Sequence, residues 1–233
     1  WWNQGALWVK PRKPEYTEME YQMRNWYYFN WLCGDHIVEQ HIHNIDVCNW
    51  FMGATPVTSS GIGGRAVGTG KEYGEIFDHH VVEYCYSFCV VMNRQCRHCK
   101  DAPSKVDEEI VGTKGRIFCD KAQIVDHKGK VLYQYDKKKE NNPYQTEHDE
   151  LFAAVAKGEF KFADAERGAQ TTLTAIIGRL ATYSGQVIDW NVALNSGLDL
   201  HPKTYSFDAQ PPVMPDASGN YAYAKPGITK YFT

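Results

Sequence analysis

Residues 34–53, GDHIVEQHIHNIDVCNWFMG, carry the side chains of this 233-residue chain best suited to moving a proton. On a helix of 3.6 residues per turn, Glu39, His43, Asp46 and Trp50 fall at i, i+4, i+7 and i+11, one stripe, with His36 one turn earlier on the same side. An imidazole can serve as a general base at neutral pH, and a carboxylate one turn away can orient it or stabilise its imidazolium. His43 is therefore the base candidate, supported by Glu39 and Asp46. Ile37, Val38, Ile42, Ile45 and Met52 occupy the other faces, so the helix is expected to be largely buried and its polar stripe to look into a cleft. The plain alternative is a buried polar network tying helix to sheet.

These residues also carry a family resemblance. Gly34, Glu39, His43, Ile45, Asp46 and the run from Trp50 to Gly53 are similar to the G-x(4)-D-x(3)-H-x-I-D…(W/L)-x-x-G signature of the Gfo/Idh/MocA oxidoreductases, with Glu39 where most members have Asp. Segments 59–66, 73–80, 110–116, 147–158 and 169–185 fit as well, so the likeness covers most of the chain but only the second half of that family. The resemblance implies a substrate-binding half that acts on a sugar or polyol hydroxyl. NAD or NADP would be held by an N-terminal Rossmann domain preceding Trp1, and that domain would also supply a lysine. Neither Lys10-Pro11 nor Lys13-Pro14 matches that lysine, which sits far upstream of the histidine motif. The extra methylene of Glu39 moves its carboxylate by about a bond length and leaves the substrate open. Some relatives use bound NAD transiently and achieve net glycoside cleavage or epimerisation, and that reading stays open. So does metal or carbohydrate binding without redox chemistry, with His36, Glu39 and His43 as ligands. Alone, the chain is expected to be catalytically silent.

Other candidates surround the motif. The aromatic stretch 21–32 holds Arg24, Asn25 and Tyr27, which read either as core packing or as a sugar-stacking wall leading into Gly34. Trp50, Arg65, Tyr73, Asp78 and His79 complete the substrate-binding set, with His36. Strand alternation sends His79 and His80 to opposite faces, so at most one joins Asp78. Residues 61–66 satisfy G-x-G-x-x-G/A, but the segment after them, 67–74, is glycine-rich and helix-poor, so a bent strand and loop is expected in place of a dinucleotide site. Seven cysteines include Cys85-x3-Cys89 and Cys96-x2-Cys99. Only six residues separate the pairs, and the first lies in strand-like sequence, so reduced thiols are expected and no metal site is assigned.

Three stretches make up the scaffold for these side chains. Residues 1–33 form a strand remnant and aromatic loop, 34–200 the core, and 201–233 an irregular tail with enough tyrosines to lie on a surface, this chain's or a neighbour's. Strand signals recur at 81–86, 90–97, 108–111, 116–120, 123–126 and 130–135, the last two joined at His127-Lys128-Gly129. Asn142-Pro143 starts a helix that Gly158 stops, with Leu151, Phe152 and Val155 as its apolar stripe; a second runs from near Asp164 to Ser184-Gly185. Residues 187–195 read as a short strand, a turn and a brief helix.

Grouped strands with helices at either side argue an α+β domain, a large, mostly antiparallel open sheet with helices on one face. The Val81/Val82 and Val90/Val91 runs leave the other face apolar enough to form a homo-oligomer interface. A 43% hydrophobic, 23% charged composition is that of a globular domain, and a net charge of −3 makes no case for nucleic acid or an anionic membrane. No apolar run approaches the ~20 residues of a membrane span. Nothing in the sequence fixes the compartment, cytoplasm or periplasm.

Overall fold

A computed structural model of the chain describes residues 1–232, the side chain of Cys89 excepted. The architecture is α+β, as expected, but its strands divide between two sheets in two compact units, residues 1–106 with 171–233, and residues 107–170.

The first unit opens with β1 (Trp2–Gln4), followed after a loop by α1 (Glu18–Arg24), which Thr17 caps by accepting a hydrogen bond from the Glu20 amide. A single 3-10 turn over Trp26–Tyr28 leads to α2 (Asn30–Cys33), α3 (His36–Glu39) and α4 (Ile42–Met52). Next come β2 (Thr58–Gly64), β3 (His79–Cys85), β4 (Val91–His98) and β5 (Lys105–Val106). In the second unit, β6 (Glu109–Gly112), β7 (Gly115–Phe118), β8 (Gln123–Asp126) and β9 (Val131–Gln134) form an antiparallel four-stranded meander, irregular between Ile124 and Val125. Helix α5 (Pro143–Lys157) comes after it. Helix α6 (Ala165–Ser184) returns the chain to the first unit, where β10 (Ile188–Asp189) and α7 (Trp190–Leu194) complete the order.

The six-stranded sheet runs β10-β2-β3-β4-β1-β5. Every pairing is antiparallel except β1 with β4. Burial alternates along β3, with His80, Val82 and Tyr84 inward and Val81 and Glu83 outward. Helices α4 and α6 line the inner side: the Ser59 hydroxyl donates to the Ile177 carbonyl (2.9 Å), and Asn49 Nδ2 donates to Thr174 Oγ1 (3.0 Å). Ile37, Ile45, Val82, Tyr84, Ile177 and Leu180 form the core between them. Ile62, Val81 and Val91 stay exposed on the opposite face, so one sheet face is open.

Gly61, Gly63 and Gly64 all lie in β2, not in a turn that opens a helix. A Cβ on Gly61 would stand 2.5 Å from the Val81 carbonyl oxygen and 3.0 Å from Thr182 Cγ2, so this glycine lets α6 sit close on the sheet. Cys85 and Cys96 fall on opposite faces of the β3–β4 pair, which separates the two cysteine motifs. The tail from 201 has no regular structure and lies on this chain's own first unit: Tyr221 packs edge-on against Phe29 at 4.9 Å, and Gln22 donates to the Val213 carbonyl. In the second unit Leu151, Phe152 and Val155, the apolar stripe of α5, are exposed. No helix among the described residues is long and apolar enough to cross a membrane.

Candidate active site

The single helix expected over residues 34–53 is broken. Asp35 caps α3 by accepting from the His36 amide, and the helix ends after one turn, where both the Gln40 and His41 amides donate to the His36 carbonyl. The His41 carbonyl is taken by Arg94 Nη2 from β4 at 2.9 Å. That bond ties the corner to the sheet. Glu39 therefore belongs to α3 and His43 to α4, and the stripe is a corner between two helices, not one face.

Around that corner the structure gathers the ends of several elements. His43 is exposed, and its ring stacks on Trp2 of β1 at 5.9 Å. Glu39 is half-buried, burial raises its carboxyl above the ordinary carboxylate value, and its Oε2 has no hydrogen-bond partner among the described residues. Gln40 accepts from Gln4 Nε2, and its Oε1 lies 3.1 Å from the Tyr27 hydroxyl oxygen. The corner thus brings an exposed imidazole, a half-buried carboxylate and the amides of Gln4 and Gln40 to the ends of β1, α3 and α4.

The remaining expected residues are placed elsewhere. Asp46 accepts from Thr171 Oγ1 at 2.7 Å and ties α4 to α6. Trp50 is 70% exposed at the far end of α4. Arg24 lies on the surface, paired with Glu20 at 2.8 Å and stacked over Tyr16. Asn25 is buried, donating to the Glu72 carbonyl (2.7 Å) and accepting from the Lys10 amide (2.8 Å). Tyr73 stacks edge-on against Tyr28. Arg65 donates to the carbonyls of Gly68, Gly70 and Gly74 and lies over Tyr223.

Asp78 has a structural part of its own. One oxygen accepts from the amides of Ala66, Val67 and Gly68 at 2.6, 2.6 and 2.8 Å, and the other lies 2.6 Å from His79 Nδ1. Burial works against the carboxylate, but the His79 and amide hydrogen bonds outweigh it and hold the group down to about 2. An Asp78 carboxylate favoured by folding adds stability above pH ~4, the unfolded value, and loses it as pH falls towards ~2. Asp78→Asn should cost about 1–3 kcal/mol at pH 7, and denaturant titrations between pH ~4 and ~2 should show a shallower fall in stability than the parent's.

Beneath the corner lies a cluster the linear reading did not assemble: Asp35, His36, His41, His80 and Cys96 are all buried, with His98 beside them. His36 and His41 approach Nδ1 to Nδ1 at 3.1 Å, and the His41 and His98 rings stack at 5.2 Å. Desolvation pushes the His36 and His41 imidazoles well down, so both are neutral at pH 7. The signal existed in the register: β3 sets His80 opposite Cys96, and His98 is two residues on, all on the inner face. The ligand set His36, Glu39 and His43 is not formed. Among the described residues, the groups able to hold a metal are Asp35/His36/His80 and His36/His41/Cys96.

No family model and no curated protein matches the chain. Solved structures do. An aldose-aldose oxidoreductase from Caulobacter crescentus, in complex with glycerol, superposes with a TM-score of 0.58 at 13% identity, covering 80% of this chain and 53% of that one. An oxidoreductase from Thermotoga maritima gives a TM-score of 0.55 at 16% identity over 82% and 53% of the two chains. A scyllo-inositol dehydrogenase from Lactobacillus casei, with bound NAD(H) and scyllo-inositol, gives 0.52 at 17% identity over 66% and 48%. The chain spans about half the length of these proteins. At such identities the likeness shows a shared fold, the one that the Gfo/Idh/MocA resemblance implied.

Proposed function

We propose that this chain is the substrate-binding half of an NAD(P)-dependent oxidoreductase acting on a sugar or polyol hydroxyl. The observation that carries this reading is the α3–α4 corner, which presents His43 and the unsatisfied Glu39 carboxylate on a fold shared with polyol and aldose oxidoreductases. His43 takes the hydroxyl proton through its exposed ring, held against Trp2. Glu39 accepts a substrate hydroxyl, which relieves its buried oxygen, and stabilises the imidazolium. Gln4 and Gln40 are linked by a hydrogen bond and, with Tyr27 next to Gln40, line the floor beside it. Asp46, bonded to Thr171, holds α4 in place.

The residues of 61–66 do not fit a pyrophosphate, because β2 runs into a bend and no α-helix opens directly after it. The cofactor belongs to a preceding Rossmann domain, and a bound nicotinamide would accept the hydride. A homo-oligomer formed through the open sheet face completes the proposal.

The test is to assay the protein together with its preceding domain against inositols and aldoses, following NADH or NADPH formation. Net formation supports the reading. Cleavage or epimerisation without net NADH moves the chemistry to the glycosidase or epimerase class, and hydride transfer by the 233-residue chain alone refutes the division of labour.

A further inference from the structure

The buried cluster sets a carboxylate between two imidazoles whose facing nitrogens make no hydrogen bond. His80 Nδ1 lies 2.8 Å from Thr182 Oγ1, and the Thr182 hydroxyl donates to the Arg179 carbonyl at 2.9 Å. When the threonine oxygen accepts from His80 Nδ1, His80 Nε2 is a lone pair. That lone pair faces Asp35 Oδ2 at 3.3 Å. Across the cluster, His36 Nε2 faces Asp35 Oδ1 at 3.6 Å. When His36 Nδ1 donates to His41 Nδ1, this second Nε2 is a lone pair too. Neither Nε2 has a hydrogen-bond partner among the described residues. Two lone pairs aimed at one fully buried carboxylate repel unless a positive charge lies between them.

His98 shows the contrast. Its Nδ1 donates to the Gly5 carbonyl (2.7 Å) and its Nε2 accepts from the Tyr27 hydroxyl (2.8 Å), a satisfied neutral ring. Asp35 is also held against its backbone preference, at φ 73°, a conformation a non-glycine residue seldom adopts. Its Oδ2 accepts from the Phe77 amide (3.0 Å) and the Tyr183 hydroxyl, which aims the carboxylate at the two imidazoles.

We propose that Asp35, His36 and His80 bind a divalent transition-metal ion of the zinc class. Bonds of about 2.0–2.1 Å in a tetrahedral site put neighbouring donor atoms about 3.3 Å apart, and the observed separations are 3.3 and 3.6 Å. Two imidazoles and one carboxylate suit Zn(II), Co(II) or Fe(II) better than Mg(II) or Ca(II). Thr182 and His41 supply the outer contacts that fix ring orientation. The site is buried, so the ion's role is positional: it joins β3 to the first turn of α3, whose last residue is Glu39.

The experiment uses the full, untagged chain, stripped with chelator and reloaded with Zn(II) or Co(II). The expected result is about one ion per chain by elemental analysis, visible d–d bands from bound Co(II), and a Tm raised by about 5 °C or more. His80→Gln should lose all three, while exposed His148→Gln and His201→Gln keep them. Because His80→Gln could unfold, 15N shifts of the wild-type imidazoles provide a second reading: coordination at Nε2 of His36 and His80 upholds the site. A doubly protonated His80 in the zinc-treated protein, no stoichiometric metal, or retention by folded His80→Gln overturns it.

Discussion

On the proposed oxidoreductase reading, replacing His43 with asparagine in the chain joined to its nucleotide-binding domain should lower kcat and kcat/KM together by about 10²–10⁴-fold, the range for loss of a positioned general base, and leave KM close to its parent value. His43 is exposed and makes one ring stack with Trp2, so its removal should leave Tm almost unchanged. Steady-state kinetics beside thermal melts separates the two effects. A variant that keeps full turnover removes His43 from the mechanism. Glu39→Gln should behave in the opposite sense on stability. Folding raises the Glu39 carboxyl by burial, so its ionised form opposes folding above that value, and the opposition fades as pH falls and the carboxyl protonates. The glutamine variant should therefore lose activity while melting higher than the parent at neutral pH, with the gain shrinking towards acid pH.

Gly178→Ala should be among the most destabilising single substitutions in the chain, at about 3 kcal/mol or more, a large share of the ~5–15 kcal/mol that holds a domain folded. A Cβ there would overlap the Tyr84 hydroxyl and stand 2.7 Å from its Cζ, and Tyr84 is fully buried between sheet and α6. Tyr84→Phe tests the cause. The Tyr84 hydroxyl has no hydrogen-bond partner among the described residues, so its removal should by itself stabilise by about 1 kcal/mol. It should also rescue much of the alanine variant, giving a coupling energy well above zero in a double-mutant cycle by urea denaturation. Additive effects would place the strain elsewhere.

Short-range features were legible without coordinates. Asn142, Pro143 and Gly158 bound α5 because caps act within one turn: Asn142 accepts from the Tyr144 amide, and Gly158 takes the left-handed conformation at φ 70°. The turn at His127-Lys128-Gly129 joins β8 to β9 for the same reason, with Gly129 at φ 84°. Alternation alone set His79 and His80 on opposite faces, and the structure decided that His80 is the buried one. The resemblance carried by residues 34–53 likewise implied the fold, which solved structures at 13–17% identity share.

Long-range packing decided the rest. Residues 34–53 have the spacing of one helix, yet the chain turns at Gln40–His41, where Arg94, some fifty residues on, donates to the His41 carbonyl. The strands of 108–135 look continuous with the earlier ones, yet they pair among themselves because short connections favour near neighbours. Asp35, His36 and His80 reach one another through sheet register and helix packing, and which imidazole nitrogens remain without a hydrogen bond is settled by contacts with Thr182 and His41. Periodicity and caps act over a few residues, whereas the corner at Glu39 and the cluster beneath it depend on segments that meet only when the core closes.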